Sequence, residues 1–387
     1  MRVLTLTDEI FAVREQSFLA RLEIGLVSEG VRVLRAMPET ALSYAPSPIV
    51  ARTIPYHVGL WQAGLEAAAR RVEREIEEIL DLPASGPAGP LVDAVHVFGG
   101  NAWLLGEAIA REIGSTLLIE VWRSGLSPRV RSFATRTGVT TTFLSPDSCI
   151  TKVLGELTST SVNPFSRAGA SSRPIQLREA LWGVITPTIA APIFEPGRLA
   201  SIMIVGAGRD PKGYMAAVAA LGALRASGVE FMVFCDADTG HRAGVQAAAR
   251  RAGLIANLSM VAELENRRDL VLEGDLILLP EANGEQRTVI LDAFATGIPV
   301  IAAKDPMNSV LIDGQTASIV DSPTTEAWSG ALNRVVRESG VARRLADSAR
   351  AYAASSRRAS AYLRSIMDAY DAIRAADPIP FPARSRA

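Results

Sequence analysis

Cysteine, histidine and lysine are all scarce in this chain of 387 residues, and each scarcity excludes something. The two cysteines, Cys149 and Cys235, lie far apart in the apolar contexts Ser-Cys-Ile and Val-Phe-Cys-Asp, without Cys-x-x-Cys spacing. They read as buried thiols rather than a disulfide or a metal pair, and they fit a reducing compartment. The three histidines, His57, His96 and His241, are too dispersed to assemble a triad, and no metal cluster is expected. No run of about 18 uninterrupted apolar residues occurs, so no membrane-spanning helix is expected. The N-terminus reaches Asp8 and Glu9 after one short apolar run, too short for a signal-peptide core, and a cytoplasmic location is expected. An excess of either charge is missing as well: 40 Lys+Arg stand against 41 Asp+Glu, which excludes a global basic field for nucleic acid. Lysine supplies only three of the basic residues, Lys152, Lys212 and Lys304, so the place of each carries weight.

What is present is the composition of a folded protein, 48% hydrophobic and 21% charged. At roughly 150 residues per domain, the length predicts two to three units. An apolar run at 3–7 leads into a helical stretch through Phe18, Leu22 and Leu26, which stops at Gly30 before a second strand at 31–34. Such a unit predicts a parallel sheet, because a parallel crossover needs a helix to return the chain. A helix over 60–82 follows, with Leu65, Val72, Ile76 and Leu80 on one stripe, then strands at 94–97, 116–121 and 139–144. The stretches 83–90 and 158–173 are rich in Pro, Gly, Ser or Thr and are expected to be loops. The boundary between the halves is expected near 187–198. The second half predicts strands at 201–205, 229–234, 258–261, 276–279, 300–303 and 317–320, then a long helical tail over 342–375. The expected fold is α/β, with two Rossmann-like doubly wound parallel-sheet domains facing a cleft and ligands at the carboxyl ends of the strands.

The segment Leu279-Pro280 through Leu291-Asp292-Ala293-Phe294-Ala295-Thr296-Gly297-Ile298-Pro299-Val300 resembles the donor site of retaining GT-B glycosyltransferases, glycosyl transferases group 1 of the family 4-like type. Val205-Gly206 through Lys212-Gly213 is similar to that family's V-G-R-x-x-x-x-K-G loop, and Ile312-Asp313-Gly314-Gln315-Thr316-Ala317 to its D-G-x-T-G turn. Asp93-Ala94-Val95-His96-Val97 and Gly30-Val31-Arg32-Val33 resemble its D-V-V-H-x-H and G-H-x-V strands, so the likeness covers roughly residues 1–375. The resemblance implies an acceptor-side domain over 1–190, a donor domain over 191–355, and a C-terminal helix and tail over 356–387 that cross back to the first domain. It implies transfer of a sugar from a UDP- or GDP-linked donor to the hydroxyl of a glycan, lipid or small molecule, without metal and with retained configuration. The nucleotide sugar is then a substrate and no further cofactor is implied. It also leaves room for peripheral contact of the first domain with the inner face of a membrane.

A diphosphate leaving group calls for fixed cations and backbone amides where negative charge accumulates. The resemblance assigns Lys212, Arg209 and Glu285 to catalysis. It assigns Gly206, Gly208, Gly284, Gln286, Arg287, Thr288, Asp292 and His96 to the donor, Asp292 standing where the family has a ribose-binding glutamate. The sequence departs from the family in four places. The first glutamate of the Glu-x7-Glu pair falls on Gly284, the arginine of the phosphate pair on Ala207, the second histidine on Phe98, and the Gly-Gly turn on Val13-Arg14. Plainer readings stand beside these: His96 as a satisfied buried histidine, Asp292 as a surface carboxylate, Glu281 and Glu285 as helix caps. Arg14, Arg123, Arg129 and Arg131 either face the cleft and hold an acidic or phosphate-bearing acceptor or lie on a solvated face. Two other functions also fit the scaffold. One is a non-catalytic GT-B partner module; the other is an epimerase or nicotinamide enzyme, for which Gly206-Ala-Gly208 is a weak dinucleotide signal.

Overall fold

A computed structural model describes residues 1–58, 62–81, 90–159, 176–338 and 340–375. The loops expected at 83–89 and 160–173 and the tail beyond 375 lie outside the described residues. Two all-parallel sheets form. The first holds β1 (Arg2–Thr7), β2 (Arg32–Pro38), β3 (Arg52–Tyr56), β4 (Ala94–Phe98), β5 (Thr116–Glu120), β6 (Thr141–Ser145) and β7 (Gln176–Glu179), in the order β3-β2-β1-β4-β5-β6-β7. The second holds β8 (Ala200–Ile204), β9 (Phe231–Asp236), β10 (Leu258–Val261), β11 (Leu276–Leu279), β12 (Val300–Ala303) and β13 (Ser318–Val320), in the order β10-β9-β8-β11-β12-β13. Central strands are buried along their whole length, as Leu276–Leu279 is, which explains their unbroken apolar runs.

Both sheets reverse strand order at one point, between β1 and β4 and between β8 and β11. Crossovers leave from opposite faces there, so a crevice opens at the carboxyl ends of those strands. The loops after β1, β8 and β11 carry Asp8 to Glu15, Gly206 to Asp210 and Glu281 to Arg287, and these segments meet between the domains.

The C-terminal helix crosses back as expected, but the tail is two helices, Val341–Ser356 and Ala359–Ala375, rather than one. The break at Arg357 is fixed by the crossing. Val184 N donates to Arg357 O at 2.7 Å and Ala359 N to Val184 O at 3.0 Å. A Cβ at Gly183 would lie 2.3 Å from Arg358 O, so only glycine lets the two segments approach this closely. The last helix then buries Tyr362, Ile366 and Tyr370 against the first sheet.

Three elements escaped the sequence pattern: β3, β7 and the helix Ser148–Ser159. The two strands are edges of their sheet, where one ladder side needs no partner; β3 accordingly tolerates Pro55 and β7 reads as polar Gln-Leu-Arg-Glu. Both cysteines are free, and Cys235 is buried as expected. Cys149 is partly exposed instead, because it sits in the first turn of Ser148–Ser159, where its amide donates to Asp147 Oδ1 at 2.8 Å.

Candidate functional site

The turn after β8 is a cradle of backbone amides. Gly206 has φ +136° and Gly208 φ +71°, and a Cβ at either would meet Tyr214 Oη at 2.1 Å or Thr239 O at 2.6 Å. Glycine is therefore required twice in three residues, and the amides between and after them converge. They converge on carboxylates of the chain itself. Ala207 N and Arg209 N donate to the two oxygens of Glu281, the second at 2.9 Å, and Gly206 N donates to Glu265 Oε1 at 3.1 Å. The Gly208 amide turns back to Tyr214 Oη at 3.3 Å.

An arginine–carboxylate network joins this cradle to the first domain. Arg287 is buried among Glu265, Glu281 and Glu285. Arg14, 271 residues from its partner, reaches across to Glu285 and also holds Glu15 at 2.8 Å. Arg209 Nη1 lies 2.9 Å from Glu285 Oε2. Arg268 bridges Asp292 at 3.0 Å and Glu15 at 3.4 Å and donates to Thr288 Oγ1, while Arg21 approaches Asp292 at 3.1 Å. Five arginines thus balance five buried carboxylates, with Arg209 and Arg21 reaching them from the partly solvated edge.

Burial alone pushes the Glu285 carboxyl up and the Arg287 guanidinium down. Each is overruled by its neighbours. Arg287, Arg14 and Arg209 hold Glu285 down to about 2, and the three glutamates hold Arg287 well above its ordinary value. Because the folded value of Glu285 lies below the ordinary 4.5, its pairing stabilises the fold above that pH and is lost as pH falls toward 2. The stability advantage of the wild type over Glu285→Gln is expected to shrink by on the order of 3 kcal/mol across that window. Urea midpoints at successive pH values check it; a constant difference would contradict the pairing.

Another contact between the domains is a short antiparallel bridge, Arg123 opposite Glu285. Ser124 N donates to Gly284 O and Gln286 N to Trp122 O, both at 2.9 Å. Gly284 has φ +63°, and a Cβ there would lie 2.0 Å from Ser124 Oγ, which accounts for glycine where the family resemblance calls for glutamate.

Of the residues singled out in the sequence, the structure brings Gly206, Gly208, Arg209, Gly284, Glu285, Gln286, Arg287, Thr288 and Asp292 to this junction. Two of them, Gln286 and Asp292, do other things than expected, and Arg287 and Thr288 add side-chain contacts. The Gln286 amide is consumed by Trp122 O rather than offered to a phosphate. Arg287 contributes its side chain to the network, and Thr288 Oγ1 donates to Glu15. Asp292 is buried between two arginines, neither on the surface nor open to a ribose. Two residues stand outside the cluster. Lys212 is exposed in the first turn of the helix Pro211–Ala226, with no hydrogen bond or ion pair among the described residues. His96 is fully buried behind Phe98, its Nδ1 2.8 Å from Tyr370 Oη and its Nε2 3.6 Å from Glu120 Oε1, so it ties down the C-terminal helix.

Glu15, Glu265, Arg268 and Arg21 were missed in the sequence. Glu15 carried a signal: it shares a helical stripe with Phe11, Phe18, Leu19 and Leu22, a charge on an apolar face. Among the described residues no group of three or more His, Cys, Asp or Glu is arranged to hold a metal, and no helix is long and apolar enough to cross a membrane.

Residues 200–338 match the family model described as glycosyl transferases group 1. No protein with a curated description matches the chain by sequence. Solved structures match over nearly the whole length. Sucrose-phosphate synthase from Thermosynechococcus elongatus matches with a TM-score of 0.70 at 15% identity, over 97% of this chain and 100% of that one. Anabaena HepE, in complex with UDP and glucose, matches with 0.66 at 13%, over 96% and 99%. WaaG, a glycosyltransferase involved in lipopolysaccharide biosynthesis, matches with 0.62 at 14%, over 97% and 100%. At these identities the likeness establishes the fold, two parallel-sheet domains of the GT-B type.

Proposed function

We propose, from a second domain that matches the glycosyl transferases group 1 model, that this protein transfers a sugar from a nucleotide-sugar donor to an acceptor hydroxyl. The observation that carries the reading is the glycine-shaped cradle of amides at the strand-order reversal of the second sheet. It is flanked by Arg209 and followed by Lys212, and it faces the first domain across the crevice. A diphosphate leaving group takes the place of the Glu281 carboxylate in that cradle. Arg209 and Lys212 neutralise the charge that builds on it, so no metal is required for that task. Lys212, exposed and without an ion pair among the described residues, is the second cation assigned to the phosphates. The protein then acts chiefly by positioning and charge neutralisation, with configuration retained and the departing phosphate taking the acceptor proton. The complex of Anabaena HepE with UDP and glucose supports uracil as the base. The units proposed are 1–190 for the acceptor, 191–355 for the donor and 356–387 as the returning helix and tail, in a cytoplasmic enzyme.

The full-length chain incubated with UDP-, GDP- and ADP-linked sugars is expected to release nucleoside diphosphate from one of them. Arg209→Ala and Lys212→Ala are expected to lower that rate at least about tenfold while the circular dichroism is unchanged. Full activity in both variants, or no release from any donor, overturns the assignment. A second reading, a GT-B partner protein without catalysis, is favoured by one observation: Glu281, Glu265 and Glu285 already satisfy the cradle and its arginines.

A further inference from the structure

One cation at the junction is left over. The five arginines of the network have carboxylate partners, but Arg123 makes no ion pair among the described residues. Its Nε is buried without a hydrogen-bond partner. Its guanidinium rests 5.2 Å from the centre of the Trp122 ring, which Arg14 also approaches, at 4.6 Å. Trp122 Nε1 and Ser127 Oγ, the latter in the first turn of the helix Ser127–Ala134, are further buried polar atoms without partners beside it in sequence. Burial and the like charge of Arg209 both push Arg123 down from its ordinary value, against the pull of Glu285 and Asp8. Asp8 does not release this charge by pairing with it. Its oxygens are taken by the amides of Phe11 and Asn101 at 2.9 and 3.0 Å, and burial pushes its carboxyl up despite them.

A half-buried arginine held against other arginines, with an idle donor, is unfavourable unless an anion completes it. The register fixes where that anion would sit. The bridge sets the backbone of Arg123 opposite that of Glu285, whose carboxylate is already taken by Arg14, Arg287 and Arg209, so the surplus charge lies on the seam between the two domains. It belongs to the first domain, whereas the amide cradle belongs to the second. We propose that the acceptor carries a phosphate monoester and that Arg123 binds that phosphate at the seam. The site then selects phosphorylated acceptors over neutral ones, because a neutral group leaves the guanidinium uncompensated. The word acceptor rests on the proposed transfer, whereas the anion site itself does not.

Calorimetric titration of the full-length protein with glycerol 3-phosphate, alone and with UDP at saturation, tests this at fixed ionic strength. The phosphate monoester is expected to bind in both conditions. Arg123→Gln is expected to weaken it at least about tenfold and Arg123→Lys to restore part of it, with UDP affinity within about twofold of wild type in both variants. Unchanged urea midpoints exclude misfolding as the cause. Equal binding in Arg123→Gln overturns the proposal, and so does exclusion of the monoester by UDP, which would assign Arg123 to the donor diphosphate. Absence of UDP binding to the wild type would remove the proposed function instead; in that event loss of monoester binding in Arg123→Gln still supports the anion site.

Discussion

Arg287→Ala is expected to cost about 3–5 kcal/mol of stability, the cost of leaving buried charges unpaired. Arg287 is 2% exposed in its side chain and is shared by three glutamates. Without it, Glu285 keeps Arg14 and Arg209, but Glu281 and Glu265 keep only backbone amides. Those two must then either stay charged in a poorly solvated pocket or take up protons. The loss appears as a lowered urea midpoint at neutral pH. A pair on the surface supplies the control: Lys304 and Asp321 are 66% and 75% exposed, and Lys304→Ala is expected to stay within about 0.5 kcal/mol of wild type. Equal costs for the two variants would mean that the network is solvated and contributes no more than a surface pair.

Glu281→Gln is expected to act in the opposite sense on ligand affinity, tightening nucleoside diphosphate binding by roughly tenfold, a gain of about 1.4 kcal/mol. In the wild type the Glu281 carboxylate must leave the amides of Ala207 and Arg209 before a phosphate enters, and it remains close to the phosphate afterwards. Glutamine keeps the shape and removes the repulsion between like charges. The same change takes one carboxylate from Arg287, so affinity rises while stability falls. Titration of both proteins with the same nucleotide measures the effect. Weaker binding in Glu281→Gln would mean that the carboxylate assists the ligand, and the picture of a cradle filled by its own chain would have to be abandoned.

How far the sequence reveals this arrangement differs between fold and site, for a physical reason. Apolar strands such as Leu276–Leu279 and glycine-terminated crossovers are local patterns, and they announce both sheets. Edge strands do not, because Arg52–Tyr56 and Gln176–Glu179 bury too little to need an apolar run. The glycines at 206 and 208 were legible because a tight turn imposes its own residue type. Ion pairing across the domains was not legible: that Arg14 meets Glu285 depends on how two folded bodies dock, and no spacing in the chain encodes it. His96 shows the same limit within a strand. Its sequence context fits either a buried or an open position, and the returning helix, through Tyr370, decides for burial.

Titration of the wild-type chain with UDP, GDP and ADP tests most directly whether the crevice is a donor site. One of the three is expected to bind at one molecule per chain, with a Kd on the order of micromolar that is lost in Arg209→Ala. No heat from any of them up to about millimolar concentration would contradict the donor site and leave a GT-B scaffold whose cradle is filled only by glutamates of its own chain.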